Sequence, residues 1–236
     1  MKNVKSLSPH RSLLFRVVAF FSKLKIGYLI RSMGNTRYLA VAFVFMTGTT
    51  ALGIITVVAY LTKLPLIFPP LGPSAFILFY TPMSVSASPR NVFLSHTLAV
   101  FSGLLSLWMV GMIYPEGDLY AKSVMDWYRV IAIALSMGLI GVIMVSMKCV
   151  HPPAAASALI AAMGYLENSF QIIGLIGAVI LLICEAIFFN RIIGGLPYPI
   201  WKADPKTARN YGILTGIPDT ETTFWRQLTI KIFQRR

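Results

Sequence analysis

The feature that most limits how this chain can fold is a pair of prolines that occurs twice inside sequence apolar enough for a membrane interior. The first copy reads Phe68-Pro69-Pro70-Leu71-Gly72-Pro73-Ser74-Ala75-Phe76-Ile77, and the second His151-Pro152-Pro153-Ala154-Ala155-Ala156-Ser157-Ala158-Leu159-Ile160. Aligned without a gap, the copies share the Pro-Pro pair, a Ser-Ala pair and a closing Ile. Proline lacks an amide donor and clashes with the preceding helical turn, so no helix runs through either site. A helix can start just beyond, because proline suits a first turn. Each copy therefore reads as an extended segment feeding a half-helix that opens near its Ser.

Composition says what surrounds those breaks. With 56% hydrophobic and 12% charged residues, the chain is too apolar for an ordinary soluble fold and reads as an integral membrane protein. The net charge of +13 gathers at the two ends, where Lys and Arg suit anionic headgroups; nothing else suggests a nucleic-acid reader. Membrane lipids are thus expected partners and nucleic acid is not. Cys149 and Cys184 form no CxxC or Cys/His metal spacing, so no metal or other cofactor is expected.

The order of segments follows from charge and length. Residues 1–37 carry Lys2, Lys5, Arg11, Arg16, Lys23, Lys25, Arg31 and Arg37 and no acid, which reads as a basic amphipathic N-terminal segment on the cytoplasmic face; a partly disordered arm is the plainer alternative. The first membrane repeat covers 38–113. It holds a helix over Leu39 to Leu61, the first Pro-Pro segment, and a helix over Val92 to Ile113. The first of these helices is about 34 Å long, enough for a hydrocarbon core of about 30 Å. A polar loop at 114–126 contains Glu116 and Asp118. The second repeat, 127–190, holds a helix over Tyr128 to Met147, the second Pro-Pro segment, and a helix over Gln171 to Phe189. A basic cytoplasmic tail, 191–236, follows, and a plasma (inner) membrane location fits the charge pattern.

The expected fold is an all-α membrane bundle of six crossings made from two inverted three-segment repeats, each with a Pro-Pro broken half-helix. Four crossings, with each Pro-Pro segment dipping in and returning, is the alternative. Six crossings put Arg90 and Lys148 in the cytoplasm and the acidic 116–126 loop outside, as the positive-inside rule prefers. The glycine and alanine content suits close contact between subunits, which admits a homo-oligomer.

Two half-helices starting near the midplane from opposite sides would aim free amides and positive dipole ends at one centre, an anion site built mostly of backbone. Broken helices at matching places in two halves point to a transporter's midplane site. The expected anion-binding set is Pro70, Gly72, Ser74, Ala75, His151, Pro153, Ala155, Ala156, Ser157 and Ala158. Close helix packing by Pro and small residues is the competing explanation. His151 stands where the other copy has Phe68, so it either donates to an anion, carries a proton, or satisfies helix-end carbonyls. His96, Glu185, Arg90 and Lys148 are coupling or gating candidates; each also has a plainer role as an interfacial or orienting group. No paired carboxylates, nucleophile with base, or metal cluster stands at a convincing spacing, so no enzyme is expected.

These residues carry a resemblance. His151-Pro152-Pro153 with its small residues and Ala158-Leu159-Ile160-Ala161-Ala162 is one part of it. Pro69-Pro70-Leu71-Gly72-Pro73-Ser74, Ser88-Pro89-Arg90-Asn91-Val92, His96, Tyr198-Pro199 and Trp201 complete it. Together they resemble the HPP family of integral membrane proteins over roughly Arg37 to Trp201. Members in cyanobacteria and chloroplasts are associated with nitrite transport, so the resemblance implies carriage of a small monovalent inorganic anion, nitrite first. A non-transporting membrane binding or assembly subunit is the alternative. Ser95 departs from the glycine expected before His96. The opposed half-helices are also similar, in architecture alone, to the anion site of sulfate-permease and nucleobase carriers.

Overall fold

Among the described residues of the computed structural model, four helices are long and apolar enough to cross a membrane, and two shorter apolar helices lie between them. The structure describes residues 36–115, 119, 125–166 and 168–204, together with 25 and 208; the basic N-terminal segment, most of the polar loop and most of the tail lie outside the described residues. In chain order the elements are α1 (Thr36–Thr62), α2 (Leu71–Tyr80), α3 (Pro89–Ile113), α4 (Trp127–Ser146), a 3-10 turn (Pro152–Ala154), α5 (Ala155–Ala162), α6 (Ser169–Ile187) and a π-helical continuation (Phe188–Ile193). No strand occurs among the described residues.

Local chemistry explains the boundaries. α4 and α6 start on side-chain caps: Asp126 accepts from the Arg129 amide at 2.7 Å and Asn168 from the Gln171 amide at 3.0 Å. α3 starts at Pro89 rather than Val92, because a proline at the first position gives up no helical hydrogen bond. For the same reason α2 begins at Leu71, ahead of Ser74: Pro70 already has helical φ −60° and ψ −20°. The final helix runs past Phe189 to Ile193 through the wider π turn, which takes Asn190 and Arg191 into it. Hydroxyls in the apolar helices fold back on their own carbonyls, as Thr47 does to Phe43 at 2.6 Å and Thr56 to Leu52 at 2.7 Å.

The core gathers Ala51 and Ile55 of α1, Leu78 and Phe79 of α2, Val92 and Val100 of α3, and Ala178, Val179 and Leu182 of α6. A second core joins Ala99 of α3, Ile140 and Met144 of α4, and Ala154 and Ala158 at the start of α5. α5 lies so close to α3 that a Cβ on Gly103 would collide with the Ala161 side chain and the Ala158 carbonyl. Glycine is required there by proximity, not by backbone angle. Outward positions such as Phe45, Val57, Val142, Val145 and Ile173 expose large apolar side chains, a surface suited to lipid.

Contacts at the two ends of the bundle fix which element ends meet. At one end Asn190 donates to the Leu78 carbonyl (3.0 Å) and Tyr198 to the Ala87 carbonyl (2.7 Å), while Leu196 packs on Ala40 and Phe43 of α1. Arg90, also at this end, donates to the carbonyls of Lys148 (3.1 Å) and Met147 (3.4 Å). At the other end Arg129 donates to the Leu119 carbonyl at 2.6 Å, and Gly164, just past α5, packs against its guanidinium. Gly174, early in α6, lies against Pro65, just past α1.

Candidate functional site

The second Pro-Pro segment is delivered by a tightly closed helix end. The Lys148 amide bonds to the Val145 carbonyl (3.2 Å) and the Cys149 amide to the Met144 carbonyl (3.0 Å), with Lys148 itself at φ 51°. This is the Schellman arrangement, which usually places glycine where Lys148 stands. Ser95 on α3 donates to the Cys149 carbonyl, so the departure from the expected glycine has a definite role: it ties α3 to the strand-like approach to His151. His151 is extended (φ −139°, ψ 94°), and the 3-10 turn starts at once behind it.

Four buried side chains then meet between the half-helices. Ser74 Oγ, in the first turn of α2, lies 3.0 Å from His96 Nε2 and 3.0 Å from His151 Nε2. It also lies 2.9 Å from the Pro70 carbonyl. His96 Nδ1 is 2.8 Å from Ser157 Oγ in the first turn of α5. His151 Nδ1 is 2.8 Å from the Ser86 carbonyl. The two rings stand 5.3 Å apart, and Ser74, His96, His151 and Ser157 have no solvent exposure. α2 leads from this cluster toward Asn190, which bonds to the Leu78 carbonyl, and α5 leads toward Arg129, which lies against Gly164.

The donors differ from those the sequence suggested. In the first copy Pro69, Pro70 and Pro73 have no amide hydrogen, and the amides of Leu71 and Gly72 bond to the carbonyls of Phe68 (3.1 Å) and Pro69 (3.3 Å). In the second, the Ala154 amide bonds to the His151 carbonyl at 3.0 Å, and that of Ala155 to Pro152 and Pro153. These amides are already satisfied, because the proline-rich turns close on themselves before the helix proper begins. The polar groups facing the junction are hydroxyls and imidazoles. Pro70, Ala75, Pro153 and Ala158 are buried, Gly72, Ala155 and Ala156 are half-buried, and none of these side chains carries a hydrogen-bond donor.

The other candidates separate. His96 joins the cluster directly. Arg90 is occupied by the α4 carbonyl end, an orienting role that also complements the helix dipole. Lys148 is exposed at its left-handed position. Glu185 is buried on α6, and neither carboxylate oxygen meets a hydrogen-bond donor. No group of three or more His, Cys, Asp or Glu able to hold a metal occurs among the described residues. The buried Tyr198 hydroxyl donates to the Ala87 carbonyl, and burial pushes its ionisation well above the ordinary phenol range, so it stays a donor.

Several supports escaped the sequence reading. Ser86 acts through its backbone carbonyl, which no side-chain pattern reveals. Ser136 on α4 donates to the Ala158 carbonyl at 3.2 Å and pins α5. One signal was present: Asn91, Ser95, Ser102 and Ser106 are buried polar residues recurring along α3 beside His96, a stripe that a lipid-facing helix would not carry.

Apolar helices, two of them cut short by prolines around a buried Ser/His cluster, define an all-helical integral membrane protein. The chain belongs to the HPP family: its transmembrane region matches residues 32–199. A transmembrane protein of Dictyostelium discoideum is 26% identical over 132 residues, which make up 54% of this chain and 42% of that protein. The chain thus spans less than half the length of that relative. No solved structure matches it.

Proposed function

We propose that this protein carries a small monovalent anion across a membrane, with nitrite the first candidate. The observation that supports this reading is the meeting of two oppositely directed half-helices at one buried Ser/His cluster. A charge at that point feels the positive ends of both half-helix dipoles even though their first amides are engaged. Ser74 and Ser157 offer hydroxyls, and His151 offers an imidazole that becomes a cationic donor when protonated. Pro70, Gly72, Ala75, Pro153, Ala155, Ala156 and Ala158 form the walls. A small flat anion fits such a set better than a large solute does.

A six-crossing path supports the same reading. α1 runs from the Leu196 end toward the Pro65 end, and the first extended segment with α2 returns to the Asn190 end. α3 and α4 then go across and back. The second Pro-Pro segment with α5 leads to the Arg129 end, and α6 returns. Four long helices and two broken segments make six passages, and the broken pair is inverted. Arg90, Lys148, Arg191 and Lys202 then share one side, which the positive-inside rule assigns to the cytoplasm, together with both chain ends. We propose a plasma (inner) membrane location, with which this charge bias is compatible.

The test is uptake into proteoliposomes of purified protein, with nitrite, nitrate, formate and chloride compared. Saturable nitrite flux above protein-free vesicles is expected. Absence of flux for all four anions sinks the proposal, and a stoichiometric membrane partner in that case favours the assembly-subunit reading.

A further inference from the structure

We infer that His151 is a proton-binding site, built so that the buried cluster keeps every hydrogen bond with or without one added proton, and that this proton travels with the anion. The coupling part rests on the proposed anion transport. The hydrogen-bond bookkeeping is closed. The Ser86 carbonyl can only accept, so His151 Nδ1, 2.8 Å away, carries a hydrogen in either state. When His151 is neutral, its Nε2 is therefore a bare acceptor, and the Ser74 hydroxyl 3.0 Å away must donate to it. Ser74 Oγ then accepts from His96 Nε2, which leaves His96 Nδ1 to accept from Ser157. The two histidines hold opposite tautomers, and each ring contact has one donor and one acceptor; the Pro70 carbonyl, 2.9 Å from the Ser74 hydroxyl oxygen, then keeps the Ser74 amide as its donor.

Add a proton to His151 Nε2 and only the Ser74 hydroxyl needs to move. Its hydrogen turns to the Pro70 carbonyl at 2.9 Å, and its oxygen accepts from both Nε2 atoms. No bond is left without a partner. His96 lacks this provision: a proton on its Nδ1 would displace the donation from Ser157. With ring centres 5.3 Å apart, two imidazolium charges would oppose each other, so the pair takes one proton and His151 holds it.

The surroundings leave that charge without a fixed counter-ion. α2 and α5 carry no charged residue. α3 contributes Arg90, turned to the Met147 and Lys148 carbonyls, and α4 contributes Arg129, turned to Leu119 at the far end. The approach to His151 contributes Lys148, and α6 contributes Glu185, which makes no hydrogen bond to the cluster. A monovalent anion entering beside Ser74 and Ser157 would neutralise the imidazolium, which makes proton and anion each other's condition for entry.

The test is solid-state NMR of the full-length protein in lipid bilayers with nitrogen-15 in its three histidines, titrated from mildly alkaline to acid; His10→Asn and His96→Gln assign the signals. Neutral His151 should show hydrogen on Nδ1 and His96 on Nε2, and acidification should convert the His151 Nε2 signal alone to the protonated type. His96 converting first, equal tautomers, or no conversion at His151 overturns the proton site. Proteoliposome uptake of nitrite, read with a lumenal pH dye, tests the coupling: acidification in step with nitrite beyond that of protein-free vesicles is expected. Nitrite uptake without acidification overturns coupling and leaves the anion proposal standing. Absence of nitrite uptake overturns nitrite–proton coupling, absence of flux for all four anions overturns the anion proposal with it, and the tautomer titration then still decides the proton site.

Discussion

Ser74 Oγ and His151 Nε2 lie 3.0 Å apart across 77 residues of chain, so the first Pro-Pro segment is bonded directly to the second. The asymmetry between the copies explains how. Phe68 packs on the main core in the first copy, and the second puts His151 in the matching place. One copy thereby supplies a ring and the other a hydroxyl, a pairing that two identical copies would not make.

Ser74→Ala should destabilise the protein by about 2 kcal/mol, since each buried polar group left unpartnered costs about 1–3 kcal/mol. Two imidazole nitrogens lose their partner together. Thermal unfolding in detergent reads the loss. A double-mutant cycle of Ser74→Ala with His151→Ala should give a coupling of about 1 kcal/mol or more. Additive effects would mean that the two groups do not interact.

Gly103→Ala should cost about 1–3 kcal/mol, the usual range for overpacking. The added carbon points at Ala161 and the Ala158 carbonyl of α5, and backbone cannot turn away as a side chain does. Gly141→Ala on α4 is the control, because nothing lies near its Cβ position. There the gain in helix preference, about 0.5–1 kcal/mol, should leave the protein unchanged or slightly more stable. Equal melting temperatures for the two variants would show that α5 does not approach α3 this closely.

What the sequence made legible was whatever a single stretch determines. The long helices stand out because lipid demands uninterrupted apolar length, and the two breaks stand out because proline cannot donate an amide. Their convergence was implied by duplication alone. The donor chemistry was not legible, since whether the Leu71, Gly72, Ala154 and Ala155 amides are free depends on how tightly each turn closes. His96 was visible as an ionisable residue in an apolar helix, but its bond to Ser74 depends on the angle at which α3 crosses the junction. The Ser86 carbonyl was beyond reach, because backbone groups look alike in every sequence.

Lys148→Gly should raise stability by about 1 kcal/mol, because a side chain at positive φ costs roughly 1–2 kcal/mol that glycine avoids. Lys148→Ala keeps the strain and removes the charge. If both variants slow nitrite flux alike, the ammonium attracts the anion; if only stability changes, and only with glycine, Lys148 serves the helix end. Circular dichroism melts with flux at two ionic strengths separate these outcomes, since an exposed charge is screened by salt.

The six-crossing path makes a prediction about sidedness that the four-crossing path reverses. Val85 is exposed in the turn before α3, beside the segment that Arg90 and Tyr198 fasten, and Glu116 lies in the polar loop past α3. In a background without the exposed thiol of Cys184, single cysteines at Lys63, Val85, Glu116 and Lys202 are treated with an impermeant maleimide in intact cells. If the first broken segment passes through, Lys63→Cys and Glu116→Cys label from outside, whereas Val85→Cys and Lys202→Cys label only after permeabilisation. If it returns to its own side, Val85→Cys labels from outside together with Lys63→Cys, and Glu116→Cys becomes protected. Lys202→Cys is protected either way, so it reports whether the cells were intact. The Val85 result carries the weight, because the direction of α2 through the membrane is what turns the Ser74 and Ser157 turns into opposed openings of one site.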